Sequence, residues 1–394
     1  MKCRISNEIC FDFIDFGKMP MANAFIKKKN TKEFLFPLKA IFAKKLSLFQ
    51  LAHNPSPKKM FNKNYPFYTS SSKSMILHFK NFSQWIKKNY IFNKNYLILE
   101  IGSNDGTFLS NFNTNKAYGF EPSKSVHLEA KRKKINSYNK FFNLSNISVQ
   151  KKNFGKIDVI VGSNVFCHIP DQENLIKSID KLLKKDGTLI FEEPYLGSMY
   201  EKISYDQIYD EHIYMFSASS VKKLYKRYNF VLIDAIPQET HGGSMRYILK
   251  KNTTSKESNR LKKILYNEKK NYIDSIKGFK IFKKKVIFSK KKLITKIKKI
   301  LSNGNKICGY GATSKSTTIL NFCKINNQMI DCIYDTTPNK IGKYSPGTHI
   351  PIIDYKNFKK SSYKYVFLFA WNHKKEIIKK EKKNKNIKWL THLN

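Results

Sequence analysis

Apolar and polar positions along the chain change period repeatedly, and each change marks an element. "YLILEIGS" (96–103) reads as a buried strand, and "TFLSNF" (107–112) behind it opens like a helix. "KAYGFEPS" (116–123) is the next strand and "KSVHLEAKRKK" (124–134) the next helix. "KIDVIVGSN" (156–164) and "GTLIFEEPY" (187–195) read as strands flanking "DQENLIKSIDKLLKK" (171–185), whose apolar residues fall at helical spacing. "ASSVKKLYKRYN" (218–229) predicts a helix, and "FVLIDAIP" (230–237) and "SMRYILKK" (244–251) predict closing strands. Strands alternating with helices imply a doubly wound parallel α/β sheet. A Lys-rich helical span over roughly 256–303 follows. The alternation then restarts with "KICGYGATSK" (306–315), "MIDCIYDTTPNK" (329–340), "YKYVFLFAWN" (363–372) and "IKWLTH" (387–392), which predict a second, smaller α/β unit. Residues 1–60 read as short strands and turns. The expected division is therefore 1–62, 63–252 and 253–394, in keeping with 394 residues, too many for a single core.

Composition refines this picture. With 41% hydrophobic residues the chain can fill buried cores. The net charge of +45 comes mostly from Lys spread along the whole length, which reads as a solvated surface rather than a nucleic-acid footprint clustered on one face. Runs such as 289–299 and 374–386 read as exposed helix faces. Six scattered cysteines give no disulfide framework, and no apolar stretch approaches a membrane span or a secretory signal. The expectation is a cytoplasmic enzyme, monomeric or homodimeric, with neither nucleic acid nor membrane as partner.

The candidate chemistry begins at "EIGSNDG" (100–106), the first strand–helix turn, where open parallel sheets bind ligands. Gly102 and Gly106 let backbone pass close to a ligand, with Ser103 between them. Glu121, with Pro122 behind it, ends the following strand, where an acid accepts from ribose hydroxyls. A dinucleotide turn requires glycine at position 104, which is Asn104, and Glu100 and Asp105 would repel a pyrophosphate. Those acids suit a ligand carrying an ammonium and a sulfonium, S-adenosylmethionine.

"LEIGSNDGTFL", "GFEPS", "NVFCHIPD" (164–171), "EEPY" (192–195), "IYDEH" (208–212), "HGGSMR" (241–246), "GYGATSK" (309–315), "DTTPNKIGKYSPGTHIPI" (335–352) and "FAWNHKKEI" (369–377) occur in order. Together they resemble the S-adenosylmethionine-dependent sugar C-methyltransferases over nearly the whole chain. The resemblance implies a class I methyltransferase Rossmann-like domain between a small N-terminal module and a C-terminal Rossmann-like domain. It also implies methylation at C3 of a nucleotide-linked 4-keto-6-deoxysugar through an enolate. His212 is the expected base because an imidazole titrates near neutrality, with Glu211, Tyr209 and His241 beside it. The family usually reads Tyr-His-Glu-His in this motif, and Asp210 departs from it. Tyr68, preferred to Tyr65, is expected over the cofactor, with Asn164 and His168 at its methionine end. Gly309, Gly311, Ala312, Lys315, Asp335, Lys340, Trp371 and Asn372 are expected to grip the sugar nucleotide, a nicotinamide site being the competing reading of that turn. The family's N-terminal zinc module has two Cys-x-x-Cys pairs. Here Cys3 remains of four ligands, while Ser6, Ala43 and Leu46 occupy the other positions, so no zinc is expected. Met19, Pro20, Ala22, Asn23 and Phe25 keep the family pattern, for substrate contact or packing. A nucleic-acid methyltransferase and a non-catalytic sugar-nucleotide-binding relative are the alternative functions.

Overall fold

A computed structural model describes residues 1–61, 67–150, 155–251, 254–382 and 386–393. Tyr65 and the expected boundaries at 62/63 and 252/253 lie outside the described residues.

In chain order, the N-terminal module holds β1 (Phe11–Pro20), β2 (Leu35–Ala43) and β3 (Leu48–Leu51), followed by α1 (Pro57–Met60) and α2 (Lys73–Tyr90). The central region holds β4 (Ile98–Ile101), β5 (Ala117–Phe120), α3 (Lys124–Arg132), β6 (Asn136–Tyr138), α4 (Leu144–Gln150) and β7 (Ile157–Ser163). It continues with α5 (Gln172–Leu182), β8 (Leu183–Pro194), α6 (Leu196–Lys202), β9 (Tyr214–Met215), α7 (Ala218–Lys226), β10 (Phe230–Gln238) and β11 (Ser244–Lys251). Then come α8 (Asn259–Lys270), α9 (Ile276–Ser302), β12 (Ile307–Tyr310), α10 (Ser314–Phe322), β13 (Ile333–Asp335) and β14 (Ile352–Asp354). The C-terminal unit ends with α11 (Tyr355–Phe358), β15 (Tyr365–Leu368), α12 (Lys374–Lys380) and β16 (Lys388–Leu390).

The central sheet runs β10-β11-β8-β7-β4-β5-β6, with its order reversing beside β4. The resulting crevice lies beyond the carboxyl ends of β4 and β7, the switch point where such sheets take ligands. Its faces are both buried. Ile98 packs with Phe79, Phe82 and Ile86 of α2, while Leu99 and Ile101 point into the opposite core with Phe166 and Phe191. This period-two division explains why "LILEI" is apolar almost throughout. The sheet is class I methyltransferase-like but not wholly parallel. β11 is antiparallel to both β8 and β10, because the short loop around His241 can join only antiparallel neighbours.

"TFLSNF" forms no α-helix; only a 3₁₀ turn spans Leu109–Asn111. Phe108, Leu109 and Phe112 are buried, and the Asn-rich run after them favours local turns over propagation. The parallel five-stranded C-terminal sheet runs β14-β13-β12-β15-β16. The N-terminal sheet runs β1-β2-β3-β9, so a strand from the "IYDEH" region completes the first module. The Lys run at 289–299 lies on α9, whose buried side presents Phe282, Val286, Leu293 and Ile297. Among the described residues no helix is long and apolar enough to cross a membrane.

Candidate active site

One cavity of about 1960 Å³ opens where the three units meet. Single-ligand pockets run to roughly 1,000 Å³, so this volume accommodates two ligands together.

On the β4 side, Gly102 (φ +69°), Asn104 (φ +48°) and Gly106 (φ +74°) form the turn. A Cβ on Gly102 would lie 2.6 Å from Val165 Cγ2, so the position has no room for a side chain. Glu121 lines the cavity and accepts from the Asn104 and Ser123 amides at 3.0 and 2.7 Å. It shapes the turn while retaining acceptor capacity for a ribose. Glu100 also lines the cavity, is 3% exposed, and leaves Oε2 without a hydrogen-bond partner. Burial, with Asp105 and Glu121 nearby, pushes its carboxyl well above the usual range. An orphaned buried carboxyl facing open space fits a cationic ligand, which would restore its charge. Asp105 does not face that space. It is fully buried, accepts from Ser70 N and Thr107 Oγ1, and pairs with Lys133. Its role is to tie the segment carrying Tyr68 across the turn, and Asn104 adds bonds to Thr69 N and Phe67 O.

Tyr68, Ser103, Pro122, Asn164 and His168 line the same cavity. Glu193 accepts from the Val165 and Phe166 amides at 2.9 and 2.6 Å, fixing the loop that presents Asn164 and His168. Asn164 and His241 both adopt left-handed backbone, at φ +56° and +53°. Together with Asn104 they place three non-glycine residues in that sparsely populated region around the one cavity, and such conformations gather at functional sites. Burial lowers His168 to about 4 and His241, helped by Lys315, to about 3; both are neutral imidazoles near pH 7.

Tyr209 and Glu211 line the cavity, and His212 lies behind them, 4% exposed. His212 Nδ1 is 2.7 Å from the Gln207 carbonyl oxygen. A carbonyl only accepts, so the proton sits on Nδ1 and Nε2 offers its lone pair to the Tyr209 hydroxyl at 2.9 Å. The near-neutral titration expected of His212 does not survive folding. Burial first, then His168, lowers its pKa well below the ordinary value. Burial and Asp210 instead raise Glu211 to about 8. Asp210 turns away, accepting from the Ala22 amide at 3.0 Å.

Of the residues expected on the C-terminal side, Lys315, Lys340, Trp371 and Asn372 line the cavity. Lys315 donates to Asn372 Oδ1 at 3.0 Å and stands over the Trp371 ring, and Lys340 donates to the Ala312 carbonyl at 2.8 Å. Gly309, Gly311, Ala312 and Asp335 are not part of the wall. Gly309 lies within β12 against Phe369, and Gly311 packs on Ala370. Asp335 accepts from the Ala312 and Thr337 amides at 2.6 and 2.7 Å and builds the turn from a position off the cavity wall. Asn23 was expected only as part of a retained segment. It lines the cavity and donates to Glu211 Oε1 at 2.7 Å. Glu192 was also missed, although "EEPY" is among the resembling motifs. It lines the cavity held by His78 at 2.6 Å and Arg246 Nε at 2.7 Å. Thr313 and Ser314, at the start of α10, complete the omissions.

At the zinc-module positions the donors are incomplete. Cys3 Sγ accepts from the Ile5 and Ser6 amides, and its pKa falls to about 5, mainly through its bond with Cys10. Ala43 and Leu46 pack with Cys3 and Cys10 in one apolar cluster, presenting methyl groups where a tetrahedral site needs thiolates. Elsewhere, donor atoms of Cys167, His168 and His212 lie within 4.8 Å of one another. His212 has both nitrogens engaged and Cys167 is bonded to Glu193, so these residues are not assigned as a metal site.

Glu100→Gln is expected to weaken S-adenosylmethionine binding by about tenfold or more in calorimetry, as for loss of a charged hydrogen-bond acceptor. The thermal midpoint should hold or rise, because a buried unpaired carboxyl has been removed.

Three family profiles match successive parts of the chain: a zinc binding domain over residues 3–61, a methyltransferase domain over 77–235, and a C-methyltransferase C-terminal domain over 239–393. The C-methyltransferase NovU of Streptomyces niveus is 25% identical over 387 residues, covering 97% of this chain and 92% of that protein. Among solved structures, an S-adenosylmethionine-dependent methyltransferase from Clostridium acetobutylicum is 15% identical, covers 44% of this chain and 92% of its own, and has a TM-score of 0.36. Magnesium protoporphyrin IX methyltransferase from Synechocystis, with S-adenosylmethionine bound, is 14% identical, covers 45% of this chain and 79% of its own, and has a TM-score of 0.33. Motifs and profiles agree: successive parts of the chain match methyltransferase and C-methyltransferase domain families, and the protein is an S-adenosylmethionine-dependent methyltransferase.

Proposed function

We propose that the protein methylates C3 of a nucleotide-linked 4-keto-6-deoxysugar. The observation that carries this reading is the sharing of one cavity by the orphaned acid Glu100, the pair Tyr209 and Glu211, and the cations Lys315 and Lys340. Acid suits a cationic donor, lysines suit a diphosphate, and the phenol and carboxyl lie on the wall between.

S-adenosylmethionine supplies the electrophilic methyl group. The protein's task is to make C3 nucleophilic, which a neighbouring ketone permits once the α-proton is removed. His212 has no place on the cavity wall, so the proton reaches it through Tyr209. The C3 proton goes to the phenolic oxygen, the phenolic proton goes to His212 Nε2, and the electron pair left on C3 delocalises onto the C4 oxygen. Glu211, protonated at neutral pH, donates a hydrogen bond to that developing oxyanion. Lys315 is among the charges that depress His212. A diphosphate beside Lys315 would offset that charge and strengthen the base when the acceptor binds. His241 and Trp371 close the acceptor side, and the 3–61 module packs without zinc, contributing Asn23 to the site.

The protein should be incubated with S-adenosylmethionine and TDP-, GDP- and CDP-4-keto-6-deoxysugars and the products weighed. One sugar is expected to gain a methyl group and, in deuterium oxide without donor, to exchange its C3 proton. Neither event on any sugar would sink the reading. Tyr209→Phe should slow that exchange by about a hundredfold, the usual scale of a proton-transfer group; unchanged exchange would mean that His212 acts directly.

Activity should be level from about pH 6 to 7.5 and decline as pH rises through about 8, because the useful form of Glu211 is the protonated one. Glu211→Gln, which cannot ionise, should be slower but lack that alkaline decline.

Elemental analysis of the purified chain should find less than about 0.1 zinc per molecule, since one thiol, one hydroxyl and two methyl-bearing positions cannot close a tetrahedral site. Stoichiometric zinc would overturn this.

A further inference from the structure

Asp206, His392 and Trp371 meet in a buried cluster that the proposed chemistry leaves unused. Asp206 is 1% exposed, in the turn just before Tyr209. Its Oδ2 accepts from Trp371 Nε1 at 2.6 Å, and its Oδ1 lies 3.2 Å from His392 Nε2. His392 follows β16 and is 4% exposed. The Ser289 hydroxyl of α9 donates to its carbonyl at 2.7 Å, and its ring meets Tyr205 edge-on at 5.1 Å. Neither His392 ring nitrogen has an aligned hydrogen-bond partner, so the close approach to Asp206 is its sole polar contact among the described residues. Burial raises the Asp206 carboxyl, but His392, Lys315 and Trp371 outweigh it and hold Asp206 ionised.

Two parts of the acceptor site hang from this carboxylate. Gln207, the next residue, supplies the carbonyl that fixes the His212 tautomer. Trp371 forms cavity wall and packs closely against the His241 loop: a Cβ on Gly242 would sit 2.1 Å from the ring. Displacing Asp206 would therefore disturb the tautomer and the wall together, while the β4 turn, which makes no contact with the cluster, would stay in place.

We propose that His392 is a positioning residue for the acceptor half of the site, acting through Asp206 to hold Trp371 and the Gln207 turn behind His212. The inference rests on the function proposed above. It extends the site to a residue beyond the last strand that no motif marked.

His392→Ala and His392→Gln in the full chain test it. With the sugar nucleotide found active, His392→Ala should lose about tenfold or more in acceptor kcat/KM, the scale on which small misplacements act. S-adenosylhomocysteine affinity should stay within about twofold, and Gln, which retains a donor, should recover most of the loss. Nitrogen-15 spectra of the free protein, with the His212 signal assigned by His212→Gln, should show one Nδ1–H tautomer in the parent and a mixture in His392→Ala. Unchanged kinetics with an unchanged tautomer would overturn the proposal, as would equal losses in donor and acceptor binding. If His392→Ala does not fold, Asp206→Asn and the Asp206→Asn/His392→Gln pair decide. The double change should be no worse than Asp206→Asn alone, and additive losses would refute coupling. The tautomer measurement needs no substrate, so it stands even if no sugar on the panel is methylated.

Discussion

Burying a carboxylic acid at the junction of three folding units is the constraint on which the rest of this molecule depends. Among the described residues Glu211 has one side-chain donor, Asn23, whose own oxygen accepts from Ser314 of α10 at 2.8 Å. The neighbouring Ala22 gives its amide to Asp210 and its carbonyl to Thr317. Thr318 reaches the Ile208 carbonyl from the same helix. Every one of these bonds joins segments more than a hundred residues apart. Losing one would leave a polar group buried and unpaired, at a cost of about 1–3 kcal/mol. The acid's raised pKa is thus a property of the assembled junction, not of the short motif that carries it.

This explains what sequence reasoning could reach. The alternation around "YLILEIGS", "KIDVIVGSN" and "GTLIFEEPY" is local and strongly apolar, and those strands form where the pattern predicts them. Glu100 lines the cavity where the turn's sequence expects it, whereas Asp105 in the same turn serves structure. Where the reading faltered, the deciding contact is tertiary. Asp105 and Asp335 look like ligand acids in one dimension, yet both spend their oxygens on nearby amides. His212 looks like a base of ordinary pKa until burial is taken into account. His392 carries no local signal, since it matters only through partners far along the chain, and Asn23 is marked only as part of the retained N-terminal pattern.

The N-terminal module shows the same logic in its core. A zinc site and an apolar cluster are alternative ways to hold two loops together, and here Ala43 and Leu46 pack with Cys3 and Cys10 in one apolar cluster. Cys3 accepts from the Ile5 and Ser6 amides although Ser6, Ala43 and Leu46 stand at its fellow ligand positions. The loop geometry therefore does not depend on a full ligand set. What the module must preserve is the placement of residues 22 and 23, and β9 pairing with β3 anchors it to the segment those residues touch.

Net charge misleads about the site because the lysines lie outside while the buried ionisable residues are mostly acids. The chain carries 74 basic and 29 acidic residues. Among the described residues the buried ones include eleven acids, one arginine (Arg246) and no lysine: the acids are Glu100, Asp105, Glu121, Glu192, Glu193, Asp206, Asp210, Glu211, Glu268, Asp335 and Glu381. Lys315 and Lys340, both half-buried, line the cavity, their ammonium groups donating to Asn372 Oδ1 and the Ala312 carbonyl. The field that a small ligand meets is therefore sorted along the cleft, acid beside β4 and cationic beside α10. A donor bearing positive charge and an acceptor bearing phosphates would each be drawn to its own end, which orders two ligands in one cavity before any specific hydrogen bond forms. The lysine-rich exterior contributes solubility and a general attraction for anions, and the interior decides which molecule goes where.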